Sequence, residues 1–147
     1  MNSFLNTAYQ DLQAVAAARR EAYAKGNPFP HLSFPDFFNP LMLEEVLAEF
    51  PDLASLDTIR YNNPNEKKFA SKGETGMGPK TLAFIHFLNS APFLEFLQAL
   101  TSIEETLLGD PYLIGGGLHE IKRGGLLKVH ADFNKHNRTG LDRRLNV

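Results

Sequence analysis

Glycine placement constrains this chain more than any other feature. In YLIGGGLHEIKRGGLLKVHADF, from Tyr112 to Phe133, short β-prone runs are interrupted by the triplet Gly115 to Gly117 and the pair Gly124 and Gly125. Each glycine inside a helix costs roughly 1 kcal/mol relative to alanine, so a helix through this stretch is disfavoured. Tight turns and bulges are open to glycine at no such cost, and the pattern predicts successive strands joined by them. The triplet invites a phosphate-loop reading. No Gly-Lys-Ser/Thr or helix start follows it, so it is read as backbone turning.

The preceding part carries helical spacing instead. Asn6 or Thr7 caps a predicted helix running to about Lys25, with Leu12, Val15, Arg19 and Tyr23 near one face and Gly26 as its stop. In NPFPHLSFPDFFNP, the alternation from Phe29 to Phe34 predicts a short strand between prolines. Asn39 and Pro40 then open a helix whose Leu43, Val46, Leu47 and Phe50 are expected to face inward, up to Pro51. Residues 57–80, rich in Asn, Lys, Glu and Gly, read as a long loop, either a functional lid or a disordered segment. Two helical segments are expected after it. One is entered through Ser90 and Pro92 with Phe93, Leu94, Leu97 and Leu100 inward; the other opens on Ser102 and Glu105, spaced as a capping box, and ends at Gly109. The expected fold class is therefore α+β, one domain over 1–147, with helical support to about residue 110 and strands from about 111.

A chain of 147 residues is long enough to bury a core. No run of eighteen apolar residues is present, and Asn, Gln, Asp and Arg interrupt every candidate signal segment, so a soluble, cytoplasmic protein is expected, with no membrane partner. The absence of cysteine excludes disulfides, thiolate nucleophiles and Cys-ligated metal, leaving His and carboxylate as metal ligands. A formal net charge of -2 argues against a broadly basic nucleic-acid surface. Lys67, Lys68 and Lys72 around Phe69 read as a solvated charged loop, the alternative being contact with an acidic or nucleic substrate.

His130 and Asp132 stand one residue apart in LLKVHADF, a predicted strand. Side chains at i and i+2 of a strand share a face, so an imidazole nitrogen and a carboxylate oxygen can converge on one ion. Two histidines and a carboxylate on one face of an octahedron are the ligand set of non-haem iron(II) oxygenases. The tripeptide alone favours a structural reading, with His130 partly buried and hydrogen-bonded to Asp132, over a metal site. His136, four residues beyond Asp132, is a local third ligand or a solvated loop histidine. His119 is a ligand, a second support or a core residue, whereas His31 and His86, in apolar surroundings, read as packed histidines. Lys128 shares the strand parity of His130 and faces either a cavity or solvent.

The passage GGGLHEIKRGGLLKVHADFNKHNRTGLDRRLNV resembles the strands around the iron site of the prolyl 4-hydroxylase-like iron(II)/2-oxoglutarate-dependent dioxygenases. The matching order is a strand at Leu118 to Lys122, a turn at Gly124 and Gly125, and a strand from Leu126 to Asp132 that ends in H-x-D. A polar loop from Asn134 to Leu141 follows, and Arg143 or Arg144 leads into Leu145. PFPHLSFPDFFNPLMLEEVLAEFP resembles the family's entry strand and following helix. The resemblance implies helices supporting part of a double-stranded β-helix, or jelly roll, with His130 and Asp132 as metal ligands. It also implies Fe(II), 2-oxoglutarate as co-substrate, O2, ascorbate as a candidate accessory, and a prolyl residue, amino acid or other small molecule as substrate. The family's later histidine, and the basic residue that pairs with 2-oxoglutarate, have no match here. The expectation is a chain truncated within the β-helix and inactive by itself. The alternative is a non-catalytic partial jelly roll for binding or assembly, with self-association through exposed strand edges.

Overall fold

The computed structural model describes residues 3–114 and 116–147. The fold is mixed α+β: four α-helices and a small open antiparallel sheet, among the described residues. They fall into two compact units, Met1–Pro51 with Met77–Pro111, and Asp52–Gly76 with Tyr112–Val147. No helix among the described residues is long and apolar enough to cross a membrane.

The first unit is helical: α1 (Leu12–Ala24), α2 (Pro40–Ala48), α3 (Pro79–Leu88) and α4 (Ala91–Thr101). Asn6 caps only a single 3-10 turn, Thr7–Tyr9, and α1 restarts behind Asp11, whose carboxylate accepts the Ala14 N–H at 3.0 Å. Two cap-competent residues five positions apart divide what reads as one helix. The fully buried Ala16 lets α1 lie close to α4, and the Arg20 Nε donates to the Ala99 carbonyl at 2.9 Å. The core is largely aromatic. Phe37, Phe87, Phe93 and Phe96 are buried together with Leu5 and Leu100. Phe93 lies 5.3 Å from Phe87 and 5.7 Å from Phe96 between ring centroids, separations at which aromatic pairs attract beyond simple area burial.

Several expectations are corrected here. The strand expected over Phe29 to Phe34 does not form, because Pro28, Pro30 and Pro35 supply no N–H to a ladder. Phe34 and Phe37 anchor this stretch through their rings, and a single bridge joins Phe38 to Leu5. On α2 the inward face is Met42, Val46 and Glu49, each half-buried, while Leu43, Leu47 and Phe50 are exposed. The apolar stripe is real, but Glu49 takes the inward place because its carboxylate binds the start of α3. That helix has no counterpart among the expected elements, since Gly78 and Pro79 close a polar stretch that reads as loop. The helix expected from Ser102 to Gly109 is absent: Ser102 turns left-handed at φ 58° and ends α4, and the chain continues irregularly.

The second unit holds the sheet. Part of the loop expected over 57–80 is a hairpin, β1 (Ile59–Asn62) and β2 (Glu66–Ala70), paired from Ile59↔Ala70 to Asn62↔Lys67. Its turn is held by Asn63, whose side-chain oxygen accepts from the N–H groups of Asn65 and Glu66 at 2.9 and 3.1 Å. The charged strand residues cover aromatic rings: Arg60 lies over Phe69 and Lys68 over Tyr61, at 5.6 and 5.0 Å. A solvated charged loop is thus replaced by a sheet whose cations are partly spent on rings.

On the far side of β2 lie β3 (His119–Glu120) and β4 (Leu126–Leu127), both antiparallel to it. Phe69 pairs with Glu120 and Lys67 with Leu126, so two steps along β2 face six steps of the opposing chain. Residues 121–125 are therefore a large bulge in one interrupted edge strand, not a reversal between two strands. Gly124 has φ +79°, and a Cβ on Gly125 would lie 2.8 Å from the Lys67 carbonyl oxygen. Glycine is required at these two positions for different reasons, backbone conformation at one and strand approach at the other. Of the triplet, Gly117 has φ +87° and turns the chain, while Gly115 lies outside the described residues.

Candidate metal centre

The strand expected from Leu126 to Asp132 is hydrogen-bonded in the sheet only at Leu126–Leu127, followed by one further bond from the Lys128 N–H to the Asn65 carbonyl at 2.9 Å. Among the described residues no strand pairs with the chain beyond Leu127, and His130 and Asp132 stand on this continuation. Their side chains nevertheless converge. His130 Nε2 lies 3.5 Å from Asp132 Oδ1, both side chains being a little under half exposed.

The other ring nitrogen decides what this convergence means. His130 Nδ1 is 2.7 Å from the Lys128 carbonyl oxygen, and a carbonyl can only accept, so the proton sits on Nδ1. In the neutral ring Nε2 then carries a lone pair, 3.5 Å from a carboxylate oxygen. Two acceptor atoms this close repel, and a proton that makes an imidazolium, a water donating to both, or a metal ion held by both relieves it. Donors about 2.1 Å from one ion stand roughly 3 Å apart in neighbouring coordination positions, so the observed gap is close to what a divalent ion needs. A histidine Nδ1–H bonded to a backbone carbonyl is also the usual device for presenting Nε2 to a metal. The donor set, one imidazole nitrogen and one carboxylate oxygen, fits iron(II) chemically.

Asp132 is held from its second oxygen. Asn146 Nδ2 donates to Oδ2 at 3.1 Å, and Arg143 Nη2 lies 3.3 Å from the same atom. Both come from the segment after a closed loop. The His136 N–H bonds to the Leu141 carbonyl at 2.8 Å, Arg143 N–H to the Asn134 carbonyl at 2.8 Å, and Lys135 and Asp142 face each other across its base.

The remaining histidines separate on the same logic. His136 is buried, and its Nδ1 accepts from the N–H groups of Thr139 and Arg138 at 3.0 and 3.3 Å. Its neutral ring therefore carries the proton on Nε2 and offers no lone pair to a metal; the residue organises the loop and is not solvated. His119 lies on β3 with Nε2 3.3 Å from the Gly116 carbonyl. His31 and His86 are exposed, against the expectation of packed core residues. His31 bonds instead through Nδ1 to the Phe29 carbonyl at 2.8 Å. Lys128 is exposed. Among the described residues, no group of three or more His, Asp or Glu side chains is placed to hold a metal ion. Asn146 had no signal in the sequence, and Arg143 only its place at the head of an expected strand.

Comparison with protein-family models, curated proteins and solved structures returned no match.

Proposed function

We propose that the His130–Asp132 corner is part of the iron(II) centre of a 2-oxoglutarate-dependent dioxygenase of the prolyl 4-hydroxylase-like type, and that the open sheet is part of its double-stranded β-helix. One observation carries the reading: the Nδ1–H bond to the Lys128 carbonyl leaves His130 Nε2 with its lone pair, 3.5 Å from Asp132 Oδ1. Iron(II), when bound, would supply oxygen activation coupled to decarboxylation of 2-oxoglutarate to succinate, with ascorbate as an auxiliary reductant. The chain's own residues do the rest. His130 contributes a neutral donor of fixed tautomer, Asp132 a negative charge that offsets part of the ion's, and the half-exposed setting leaves open positions for a co-substrate. The substrate class is a prolyl residue, an amino acid or another small molecule.

The test is anaerobic titration with iron(II), followed by 2-oxoglutarate and oxygen with succinate as the product measured. Saturable iron binding that His130→Ala removes is expected, with succinate formed only where a third ligand and a basic residue for 2-oxoglutarate are also supplied. Equal iron affinity in both proteins would take His130 out of the centre.

A second reading, a non-catalytic partial jelly roll that binds or assembles, draws on different residues. Val129 is wholly exposed, and Ile121, Leu126 and Leu127 are each at least 40% exposed along the same edge. Unpaired edges with apolar side chains favour strand addition. Concentration-dependent self-association without metal binding is its signature in sedimentation.

A further inference from the structure

The way Asp132 is restrained goes further than its membership of the site. We propose that Arg143 and Asn146 are positioning residues that hold Asp132 as a one-oxygen ligand, keeping Oδ2 for themselves and presenting Oδ1 to the metal; this rests on the iron reading above.

The atoms force the arrangement. A guanidinium can only donate, so the Asn146 atom 2.5 Å from Arg143 Nη2 is the amide oxygen. The amide's Nδ2 is thereby turned to Asp132 Oδ2, which it reaches at 3.1 Å, and the same Nη2 stands 3.3 Å from that oxygen. Three side chains thus close a ring of two hydrogen bonds and one ion pair. Arg143 is itself held, by its backbone N–H on the Asn134 carbonyl at 2.8 Å and by its guanidinium 4.7 Å from the centre of the Phe133 ring. Its side chain is 24% exposed against 41% for Asp132, so the clamp is better shielded than the group it clamps.

Two opposing effects follow for an ion at Oδ1. The arginine draws negative charge away from the ion, which weakens binding, while fixing the carboxylate's rotamer strengthens it. At this exposure water screens the first effect strongly. Orientation is left as the larger one, and outer partners of metal ligands typically change affinity by about 10–100-fold when removed. Holding Oδ2 also disfavours chelation by both carboxylate oxygens, which would close a position that a chelating co-substrate needs.

The experiment is titration of the whole chain with Co(II), followed by calorimetry and by the visible d–d spectrum. The proteins compared are the native chain, Asp132→Ala, Arg143→Gln, Arg143→Lys and Asn146→Ala. Asn146 is exposed, so its substitution reports on the clamp even where an Arg143 variant fails to fold. Roughly tenfold weaker binding is expected in Asn146→Ala and about 10–100-fold in Arg143→Gln. An altered d–d spectrum should accompany both, with part of the affinity restored in Arg143→Lys. Unchanged or tighter binding in the Asn146 and Arg143 variants, with Asp132→Ala still abolishing it, overturns the clamp and leaves the metal site standing. No difference between the native chain and Asp132→Ala overturns the iron reading, and the clamp with it.

Discussion

The Lys128 carbonyl oxygen and His130 Nδ1, 2.7 Å apart, fix the tautomer of a ring that lies on no regular strand. A residue two positions upstream in sequence therefore does, through its backbone, what a second side chain does in many metal sites. The neutral ring should carry its proton on Nδ1. Long-range proton–nitrogen correlation spectra on labelled protein test this directly, and addition of Zn(II) should then move the Nε2 resonance while leaving Nδ1 protonated. A neutral ring found protonated at Nε2 would contradict the arrangement.

Gly124 and Gly125 should respond differently to alanine. At Gly124 nothing lies within 4 Å of an added Cβ, so the penalty is that of φ +79° alone, about 1 kcal/mol. At Gly125 the Cβ would meet two carbonyl oxygens at 2.8 Å and an Ile121 methyl at 2.6 Å, so strands must separate and about 1–3 kcal/mol is lost. Urea unfolding of the two variants measures both. Equal costs would mean that the bulge is not packed as described.

How much of this was readable beforehand depends on whether the signal was local. The mixed class, α1, α2 and α4 come from short-range spacing, glycine placement and caps, whereas His130 and Asp132 lie near each other without the strand expected beneath them. The β1–β2 hairpin is hard to read because the alternation in IRYN lasts only four residues and EKKFA, whose Lys68 lies over a ring, shows none. Which face of α2 turns inward depended on Glu49 meeting α3, 31 residues away, and no periodicity encodes a partner. Arg143 and Asn146 reach Asp132 from 11 and 14 positions on through irregular chain, beyond any pattern of period 2 or 3.6.

Phe96 and Leu47 make the same point in energy. Both are large and apolar and recur at helical spacing, yet Phe96 is 2% exposed and Leu47 71%. Phe96→Ala should lose about 3–5 kcal/mol, having removed a ring packed against Phe37 and Phe93. Leu47→Ala should stay within about 0.5 kcal/mol of the native chain. Denaturant midpoints decide it, and a large loss from Leu47→Ala would mean that this face of α2 is covered in solution.

Glu49 supplies a pH-dependent element of the helical unit. Partial burial by itself would raise its carboxyl pKa. Hydrogen bonds from the Thr81 and Lys80 N–H groups and the Thr81 hydroxyl, with the Lys80 charge behind them, outweigh burial and hold it below its ordinary value of 4.5. The carboxylate is an anion at the first turn of α3, where unpaired N–H groups and the helix dipole both favour one. Because the folded pKa is depressed, the stabilisation is fully present above pH 4.5 and is lost as pH falls through the folded value. Asp52, held down by its hydrogen bond from Lys122 and by the Ala54 N–H, adds a second acid-sensitive element in the sheet unit. Glu49→Gln should therefore lower the urea midpoint at pH 7, with the gap to the native chain narrowing as the pH falls below 4.5 and through the depressed folded value, where the native side chain itself becomes neutral. Gly78→Ala separates charge from packing. Its Cβ would stand 2.5 Å from the Glu49 carboxyl carbon and push the carboxylate off the helix start, so it should reproduce the loss at pH 7 with Glu49 still in place. A gap between Glu49→Gln and the native chain that stays constant down to the acid unfolding of both would show that the amide fails for reasons of shape, and that the charge at the start of α3 contributes nothing.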